Sequence, residues 1–329
     1  MKKIFLTVTF AALVAGFASA QATATPAPIA PATAGGLQFA SELSTPDIVN
    51  ALAFSPDGAL LLTASQDTSV RLWSLADGEQ VSESYEHFSF VKGAAFAENF
   101  AVTSGWDRTL IVWDTSDETL AVRSQITGYD AVIEHLAISP DGTRIAFGVG
   151  DGRVRVADAA TGDVLFELPV GALRVTAVAY SPDGAQITVA GGFPASGALT
   201  YDANDGTVLA SLAHPATVTS LAYAPDSLLL AAGGDDGNVT LWLEGVQIAS
   251  LEVNDWVTDV AFSPTAPILV AARQDGIMTV WDVTDPASPA LIVGIVAADS
   301  AVNDVAFQPD GTRLATASAD GSVRLWQVK

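Results

Sequence analysis

The sequence contains no cysteine, three histidines and 14 lysine and arginine residues against 37 aspartate and glutamate residues, so its formal net charge is −23. The absence of cysteine excludes disulfides, thiolate metal sites, cysteine nucleophiles and a lipid-modified cysteine. The shortage of basic residues argues against nucleic acid and anionic lipid as partners, because both are bound by basic surfaces. After residue 20 there is no run of 18 apolar residues, so no later segment is predicted to cross a membrane.

The first 20 residues have the composition of a secretory signal peptide. Residues 1–3 are cationic, residues 4–17 are apolar, and residues 18–20 form a small-x-small cleavage pattern before Gln21. An uncleaved membrane anchor is the alternative, but the apolar run is shorter than the roughly 20 residues that a spanning helix needs. We therefore expect export from the cytoplasm, either to the periplasm or to the medium.

Residues 21–36 are rich in Ala, Pro and Thr and have no periodic apolar face. This composition predicts an extended, mobile linker. Residues 37–329 number 293, and half of the residues of the whole chain are hydrophobic. This length and composition are enough for a substantial core.

A unit of about 42 residues recurs along residues 37–329. In each copy a short alternating run ends in an aromatic or aliphatic residue and is followed by a turn. Several of these turns read SPDG, in which Pro presets φ, Asp caps the turn and Gly tolerates the left-handed exit. The seven residues that end these runs are Phe54, Phe96, Ile138, Tyr180, Tyr223, Phe262 and Phe307.

A second hairpin signal recurs later in the unit, where an Asp opens a tight turn and an alternating strand follows. The period of two indicates strands rather than helices. In five copies that strand ends in Trp, six residues after the Asp, at Trp73, Trp113, Trp242, Trp281 and Trp326.

The strands VRLWS (70–74), LIVWD (110–114), MTVWD (278–282) and VRLWQ (323–327) resemble the WD40-repeat family, and the leader suggests an exported, bacterial-type member. The resemblance implies an all-β, seven-bladed β-propeller of four-stranded antiparallel blades around a central channel. The last repeat stops just after its Trp strand, so its blade lacks an outer strand. Residues 37–43 resemble the outer strands of other repeats, and we predict that they complete the seventh blade.

The family's hydrogen-bonded His, Asp and Trp cluster is expected in two repeats only. These are blade two, with His87, Asp107 and Trp113, and blade five, with His214, Asp236 and Trp242. Blade three has Ala157 in the Trp position, and blade four has residues 193–196 in place of the Asp hairpin, so both blades are expected to be locally weaker. We assign a structural role to the cluster residues and to Trp73, Trp281 and Trp326.

No catalytic or metal-binding motif is present in the sequence, and His135 is expected to have a packing or surface role. One carboxylate among seven channel positions makes a poor metal site. We therefore predict no enzymatic activity and no cofactor, with a small-ligand or metal-dependent hydrolase-type site at the channel mouth as the alternative. The inner-strand polar positions are Asn50, Lys92, Glu134, Thr176, Thr219, Thr258 and Asn303.

Two tryptophans are not explained by the repeat. Trp106 precedes the hairpin Asp of blade two, and Trp256 precedes the inner strand of blade six. The resemblance implies that both positions face the upper rim of the channel, where partners dock, and exposed aromatics among polar groups are typical of a binding patch. The alternative is that the two indoles only cover neighbouring loops. The candidate partner-binding residues are Ile48, Gln66, Phe90, Trp106, Val132, Arg174, Asp235, Trp256 and Gln274.

The sequence thus predicts a monomeric, non-catalytic protein interaction scaffold outside the cytoplasm. Its partner is an unidentified protein, with no nucleic acid and no membrane insertion after signal cleavage. A third hypothesis is a surface or matrix protein selected for stability alone, which predicts no discrete partner.

Overall fold

A computed structural model describes residues 26–171, 173–192 and 197–328, and within these ranges the chain forms 28 strands in seven four-stranded sheets. Neighbouring strands pair antiparallel throughout these sheets, so the predicted all-β, seven-bladed propeller is confirmed. The expected signal peptide and the segment 193–196 lie outside the described residues. No helix in the described part of the chain is long and apolar enough to cross a membrane.

Each of the first six blades runs in chain order from an inner to an outer strand. Blade one contains β2 (Val49–Phe54), β3 (Leu60–Ser65), β4 (Val70–Ser74) and β5 (Gln80–Ser84). Blade two contains β6 (Val91–Phe96), β7 (Phe100–Gly105), β8 (Leu110–Asp114) and β9 (Ala121–Ile126). Blade three contains β10 (Ile133–Ile138), β11 (Arg144–Val149), β12 (Arg153–Asp158) and β13 (Val164–Pro169).

The second half of the chain continues the same arrangement. Blade four contains β14 (Val175–Tyr180), β15 (Gln186–Gly191), β16 (Ala198–Asp202) and β17 (Val208–Leu212). Blade five contains β18 (Val218–Tyr223), β19 (Leu229–Gly234), β20 (Asn238–Leu243) and β21 (Val246–Glu252). Blade six contains β22 (Val257–Phe262), β23 (Ile268–Arg273), β24 (Ile277–Asp282) and β25 (Ala290–Val296). Blade seven contains β26 (Val302–Phe307), β27 (Arg313–Ser318), β28 (Ser322–Val328) and β1 (Leu37–Ser44).

The first strand closes the ring, as predicted. β1 pairs with β28 from Leu37 opposite Val328 to Ser44 opposite Ser322. Across this pair the Arg324 guanidinium lies 3.1 Å from the Glu42 carboxylate. The pairing gives the last blade its outer strand and leaves no unpaired edge on β28.

The segment before β1 is not the mobile linker that its composition predicts. In the described part, residues 26–36, Ile29 and Ala34 are fully buried, and the Ile29 amide donates to the Gly311 carbonyl at 2.9 Å. Ala27 forms an isolated bridge with Val328. Ile29 is the one large aliphatic residue of residues 21–36, and burying such a side chain contributes about 1.5–3 kcal/mol toward holding the segment, together with these backbone contacts.

The apolar core lies mainly between adjacent blades. For example, Val102 and Val112 of blade two form one buried cluster with Ile133 and Phe147 of blade three. Both faces of the middle strands are therefore covered, which explains why β3, β7 and β19 are buried along their whole length.

Every inner strand carries a β-bulge at the same place, and the bulged residue has no partner in the second strand. The bulged residues are the seven inner-strand polar positions, Asn50, Lys92, Glu134, Thr176, Thr219, Thr258 and Asn303. A bulge re-aims its side chain, and all of these residues except Thr176 line the channel cavity.

Four of the bulged residues connect one blade to the next. In each case the side chain of the bulged residue donates a hydrogen bond to the backbone carbonyl of the residue just before the bulged residue of the next blade. We call these bonds inter-blade clasps. They join Asn303 Nδ2 to Val49 O (2.8 Å), Asn50 Nδ2 to Val91 O (2.8 Å), Thr219 Oγ1 to Val257 O (2.6 Å) and Thr258 Oγ1 to Val302 O (2.5 Å).

Candidate functional site

The candidate rim residues lie at one end of the blades, because a repeated backbone hydrogen bond joins the two sets of positions. In each blade, the residue that follows the second strand donates its amide to the carbonyl of the residue that precedes the inner strand. These bonds of 2.8–3.1 Å run from Gln66 to Ile48, Trp106 to Phe90, Gly150 to Val132, Gly192 to Arg174, Asp235 to Thr217, Gln274 to Trp256 and Ala319 to Ala301. All nine candidates therefore belong to one circular rim.

Trp106 is an exposed indole that three neighbours hold in place. Its side chain is 41% exposed, and its ring centroid lies 5.2 Å from that of Phe90. The indole Nε1 donates to Glu134 Oε1 at 2.8 Å, and Lys92 Nζ lies 6.0 Å from the ring centroid. These contacts orient the indole while leaving a large part of its face open to a partner.

Glu134 connects three blades at the rim. Its second oxygen, Oε2, accepts from Arg174 Nε at 2.5 Å, so one carboxylate holds Trp106 of blade two and Arg174 of blade four. The Glu134 side chain is nearly buried, whereas Arg174 is exposed. Burial lowers the pKa of Lys92, and the nearby Glu134 charge opposes this shift. We call Phe90, Lys92, Trp106, Glu134 and Arg174 the rim cluster.

Trp256 lies apart from the rim cluster. It is 56% exposed just before β22 of blade six; blades seven and one separate it from Trp106 of blade two, and blade five separates it from Arg174 of blade four. The single aromatic patch that the sequence predicts is therefore divided into two areas. Each blade has only one pair of rim positions, so aromatics on non-adjacent blades stay apart.

The remaining candidates do not join the rim cluster through side-chain bonds in the described structure. Asp235 Oδ1 accepts from the Thr217 amide at 3.1 Å within its own blade. Gln274 is exposed, and the last three, Ile48, Gln66 and Val132, are half-buried.

Sequence reasoning missed two exposed apolar residues beside the rim cluster. Phe88 is 86% exposed and Leu173 is 70% exposed, and they lie just before the inner strands of blades two and four. Reasoning from the sequence also assigned Lys92 and Glu134 to the channel only. The available signal was charge, because the same bulge position carries Asn or Thr in the other five blades.

The structural cluster of blade two is assembled as a hydrogen-bonded chain. His87 Nδ1 lies 2.8 Å from Asp107 Oδ2, and His87 Nε2 lies 2.8 Å from Thr103 Oγ1. Trp113 Nε1 donates to the same Thr103 hydroxyl at 2.8 Å. Asp107 also accepts the Phe88 amide at 2.9 Å, so this chain fixes the loop that leads to the rim.

The same cluster is not assembled in blade five, contrary to the expectation. His214 Nδ1 is bonded to the backbone at Ala216, and within the described residues its buried Nε2 has no hydrogen-bond partner. Trp242 donates to Thr240, and Asp236 caps its own turn. The residue equivalent to Thr103 is Ala232, so the hydroxyl that would link His to Trp is missing.

The other repeat positions fill structural roles. Trp73 donates to Thr63 at 3.1 Å, Trp326 to Thr316 at 3.0 Å and Trp281 to Thr279 at 3.1 Å. In blade four Tyr201 occupies the Trp position, where it is buried and its hydroxyl donates to the Pro169 carbonyl. In blade three Ala157 is buried at that position.

The channel forms a cavity of about 220 Å³ with a pair of aspartates in its wall. Asp259 and Asp304 share a side-chain hydrogen bond, and burial raises the pKa of both, that of Asp304 well above its usual value because the Asp259 charge is close. Asp304 accepts the Leu52 amide at 2.8 Å, and Asp259 accepts the Val305 amide at 3.0 Å. The pair thus joins blades six, seven and one.

The described channel residues offer little for catalysis. Across residues 26–171, 173–192 and 197–328, no group of three or more His, Asp or Glu side chains is placed to hold a metal ion. Burial lowers the pKa of His135 to about 4, so this imidazole is neutral near pH 7. The channel carboxyls of Asp259, Asp304 and Glu134 are each occupied by amide, indole or guanidinium donors.

Family models match the chain over more than half of its length. The model described as "WD domain, G-beta repeat" matches residues 38–74, 78–114, 204–242, 245–282 and 292–327. The model described as "Anaphase-promoting complex subunit 4 WD40 domain" matches residues 110–183. The WD domain model does not match blade three or most of blade four, the two blades in which the repeat departs most from its pattern.

Curated relatives include eukaryotic proteins of diverse roles. The chain is 27% identical over 196 residues to meiotic recombination protein rec14 of Schizosaccharomyces pombe, covering 57% of this chain and 64% of the relative. It is 26% identical over 168 residues to small ribosomal subunit protein RACK1y of Oryza sativa subsp. japonica (47% and 48%). It is 33% identical over 141 residues to transducin beta-like protein 3 of Rattus norvegicus (38% and 17%). The match spans less than two thirds of each relative.

Proposed function

The chain belongs to the WD40-repeat family, and from this premise we propose that it is a non-catalytic scaffold that binds a protein partner on its rim. The observation that carries the proposal is Trp106, an exposed indole that Glu134, Phe90 and Lys92 hold in a fixed orientation. A rigid, exposed aromatic is the usual anchor of a protein interface.

The proposed partner surface extends from blade two to blade four. Phe88 and Leu173 add exposed apolar area at its two ends, and Arg174 adds a guanidinium that is already oriented by Glu134. This combination of apolar anchors and oriented polar groups is typical of interface centres. Trp256 on blade six is proposed as a second, separate contact for the same partner.

The cellular context is part of the proposal and rests on the leader sequence. We propose that residues 1–20 direct export and are removed, and that the protein acts as a monomer outside the cytoplasm. Proteins of the same compartment are then the candidate partners. Nucleic acid is disfavoured, because the net charge of −23 repels phosphate backbones.

Site-specific photo-cross-linking at the rim tests this function. A photoreactive residue at Gln66 would be used in the native compartment to capture the partner, which is then identified and purified. We expect Trp106→Ala combined with Trp256→Ala to weaken binding of that purified partner by at least tenfold. Because Trp106→Ala also removes a donor from the nearly buried Glu134, a modest fall in thermal stability is expected, and affinities are compared at a temperature at which the wild type and the variant are both fully folded. The matched control is Leu209→Ala, which removes an equally exposed apolar side chain from the outer strand β17. Unchanged affinity in the double variant would refute the rim assignment.

A further inference from the structure

The grooves between adjacent blades, at the end opposite the rim, differ in the side chains that line them. The second strand of each blade begins at such a groove. In blades three and seven its first residue is arginine. Arg144 donates to the Ala203 carbonyl of blade four at 2.5 Å, and Arg313 donates to the Leu75 carbonyl of blade one at 3.2 Å. Each arginine thus places a guanidinium at its groove and satisfies a carbonyl of the next blade, beside cavities of about 500 Å³ at Arg144 and about 350 Å³ at Arg313.

The groove between blades six and seven has an aliphatic residue, Ile268, at this position and is closed by the chain itself. Ile29 is fully buried in one cluster with Ile268 and Phe307. Its amide donates to the Gly311 carbonyl, and Ala27 bridges to Val328. Val328 lies two residues after Trp326. Leu75 and Ala203, which accept from the two arginines, are equivalent to it: they lie two residues after Trp73 and Tyr201. An extended segment therefore replaces the arginine.

The groove between blades five and six has the same aliphatic chemistry and is open. It has a volume of about 620 Å³. Leu229 is equivalent to Ile268, Phe262 to Phe307, and Val283 to Val328. Four prolines form much of its remaining wall, at Pro225, Pro264, Pro267 and Pro286.

We propose that the groove between blades five and six binds an extended, uncharged, proline-flanked aliphatic segment of a partner protein. The argument is the occupied groove next to it, where the uncharged sequence PAPIAP of residues 26–31 supplies both an aliphatic side chain and backbone hydrogen bonds. Proline-flanked segments lose little conformational entropy on binding because they are already extended. The site is at the opposite end of the inner strands from the rim, so it is distinct from the proposed rim surface.

The test uses a synthetic peptide with the sequence of residues 26–34, PAPIAPATA, titrated into the full chain by isothermal calorimetry. We expect saturable binding of one peptide per chain. A peptide with Asp in place of the Ile is expected not to bind. Absence of saturable binding by the first peptide overturns the proposal.

The decisive variant is Leu229→Arg, which places in the uncharged groove the charged residue that occupies the same position in blades three and seven. We expect it to fold as the wild type does, because Arg144 and Arg313 occupy the same position, and to weaken peptide binding at least tenfold. The matched control is Gln186→Arg, at the first position of β15 in blade four, which should leave the affinity unchanged. Equal affinities of wild type and Leu229→Arg would overturn the assignment.

Two further outcomes separate other occupants. If the peptide binds only to an Ile29→Asp variant, it enters the groove between blades six and seven, and the proposal is wrong. If sedimentation shows that the wild type is a dimer and that Leu229→Arg makes it monomeric, the occupant is a second copy of the chain rather than a partner segment, and the proposal is likewise wrong.

Discussion

The inner-strand β-bulge serves different purposes on the two sides of the ring. In blades five, six, seven and one the bulged inner-strand residue forms an inter-blade clasp to the next blade. In blades two, three and four no such clasp is found in the described structure. Lys92 donates back to Asn50 at 3.1 Å, Glu134 holds Trp106 and Arg174, and the buried Thr176 hydroxyl has no partner among these residues.

This difference shows how repeats of one fold can present different side chains at the rim. The bulge occurs in all seven inner strands, so the sheet pairing is the same on both sides of the ring. At the bulges of blades two and three the side chain changes from a short hydrogen-bond donor to a charged residue, Lys92 or Glu134, whereas blade four keeps a threonine. The clasped side contains the pairing of β1 with β28, which closes the ring.

The largest expected effect comes from breaking the ring on its clasped side. Deletion of residues 37–44 removes β1 and its pairing with β28, and exposes the apolar surface that Leu37 and Leu43 cover. We expect the free energy of unfolding to fall by more than about 3 kcal/mol, measured by urea denaturation. Phe39→Ala, which trims an exposed side chain of the same strand, is the control. An unchanged midpoint in the deletion variant would contradict the closure mechanism.

Removal of a single clasp should cost less. Asn303→Ala deletes the donor to the Val49 carbonyl, and we expect a loss of about 1–3 kcal/mol because a buried carbonyl then lacks its partner. Lys92→Met, at the same bulge position on the other side of the ring, is expected to cost less than half as much. Equal losses in urea denaturation would remove the distinction between the two sides.

The aspartate pair on the clasped side predicts a pH dependence. The folded pair retains a proton that the unfolded chain releases near the usual Asp pKa of 3.8, since burial raises the pKa of Asp304 well above that value. The associated stability is therefore complete below pH 3.8 and is lost as the pH rises through the raised pKa. Asp304→Asn keeps a donor toward Asp259 and should flatten the stability profile above pH 4. Asp117→Asn, an exposed control, should leave the slope unchanged.

His135, on the unclasped side, should have the opposite pH dependence. Burial lowers its pKa to about 4, with Lys92 and Arg174 reinforcing the shift and Glu134 opposing it. Its contribution is complete above the unfolded pKa of 6.5 and is lost as the pH falls toward 4. His135→Gln should reduce this acid-side loss, and an NMR titration of the imidazole should give a midpoint below 5. A midpoint near 6.5 would show that the ring is solvated.

The smallest effect is expected at Thr176. Its hydroxyl is buried and has no partner within residues 26–171, 173–192 and 197–328, so Thr176→Val should change the free energy of unfolding by between zero and about 1 kcal/mol in the stabilising direction. Thr219→Val removes a clasp from the equivalent position and should destabilise by about 1–2 kcal/mol. If Thr176→Val raises the free energy of unfolding and Thr219→Val lowers it, the same substitution at two equivalent bulges distinguishes the unclasped side from the clasped side.

The repeat period predicted the blades and the closing strand, because pairing in each blade depends on short, local patterns. The positions of the rim residues also followed from their place in the repeat. What the sequence could not provide depends on neighbours from other strands. The hydroxyl that links His to Trp is present in blade two and missing in blade five, where Ala232 replaces Thr103, and His214 also bonds to the backbone at Ala216 instead of to Asp236. Likewise, the Ala/Pro composition before β1 conceals the anchoring effect of Ile29, which becomes visible only with the groove that it fills.

The closure of blade seven also determines how the molecule would respond to mechanical load. Leu37 pairs with Val328, so both ends of the propeller leave the ring at the same end of the β1 and β28 ladder. Tension applied between these ends must first release the Ala27 bridge and the buried Ile29, and it then peels the ladder apart one rung at a time, which needs less force than shearing all its rungs together. A molecule tethered by one end carries no tension across this seam, whereas tethering by both ends makes the seam the first part to yield.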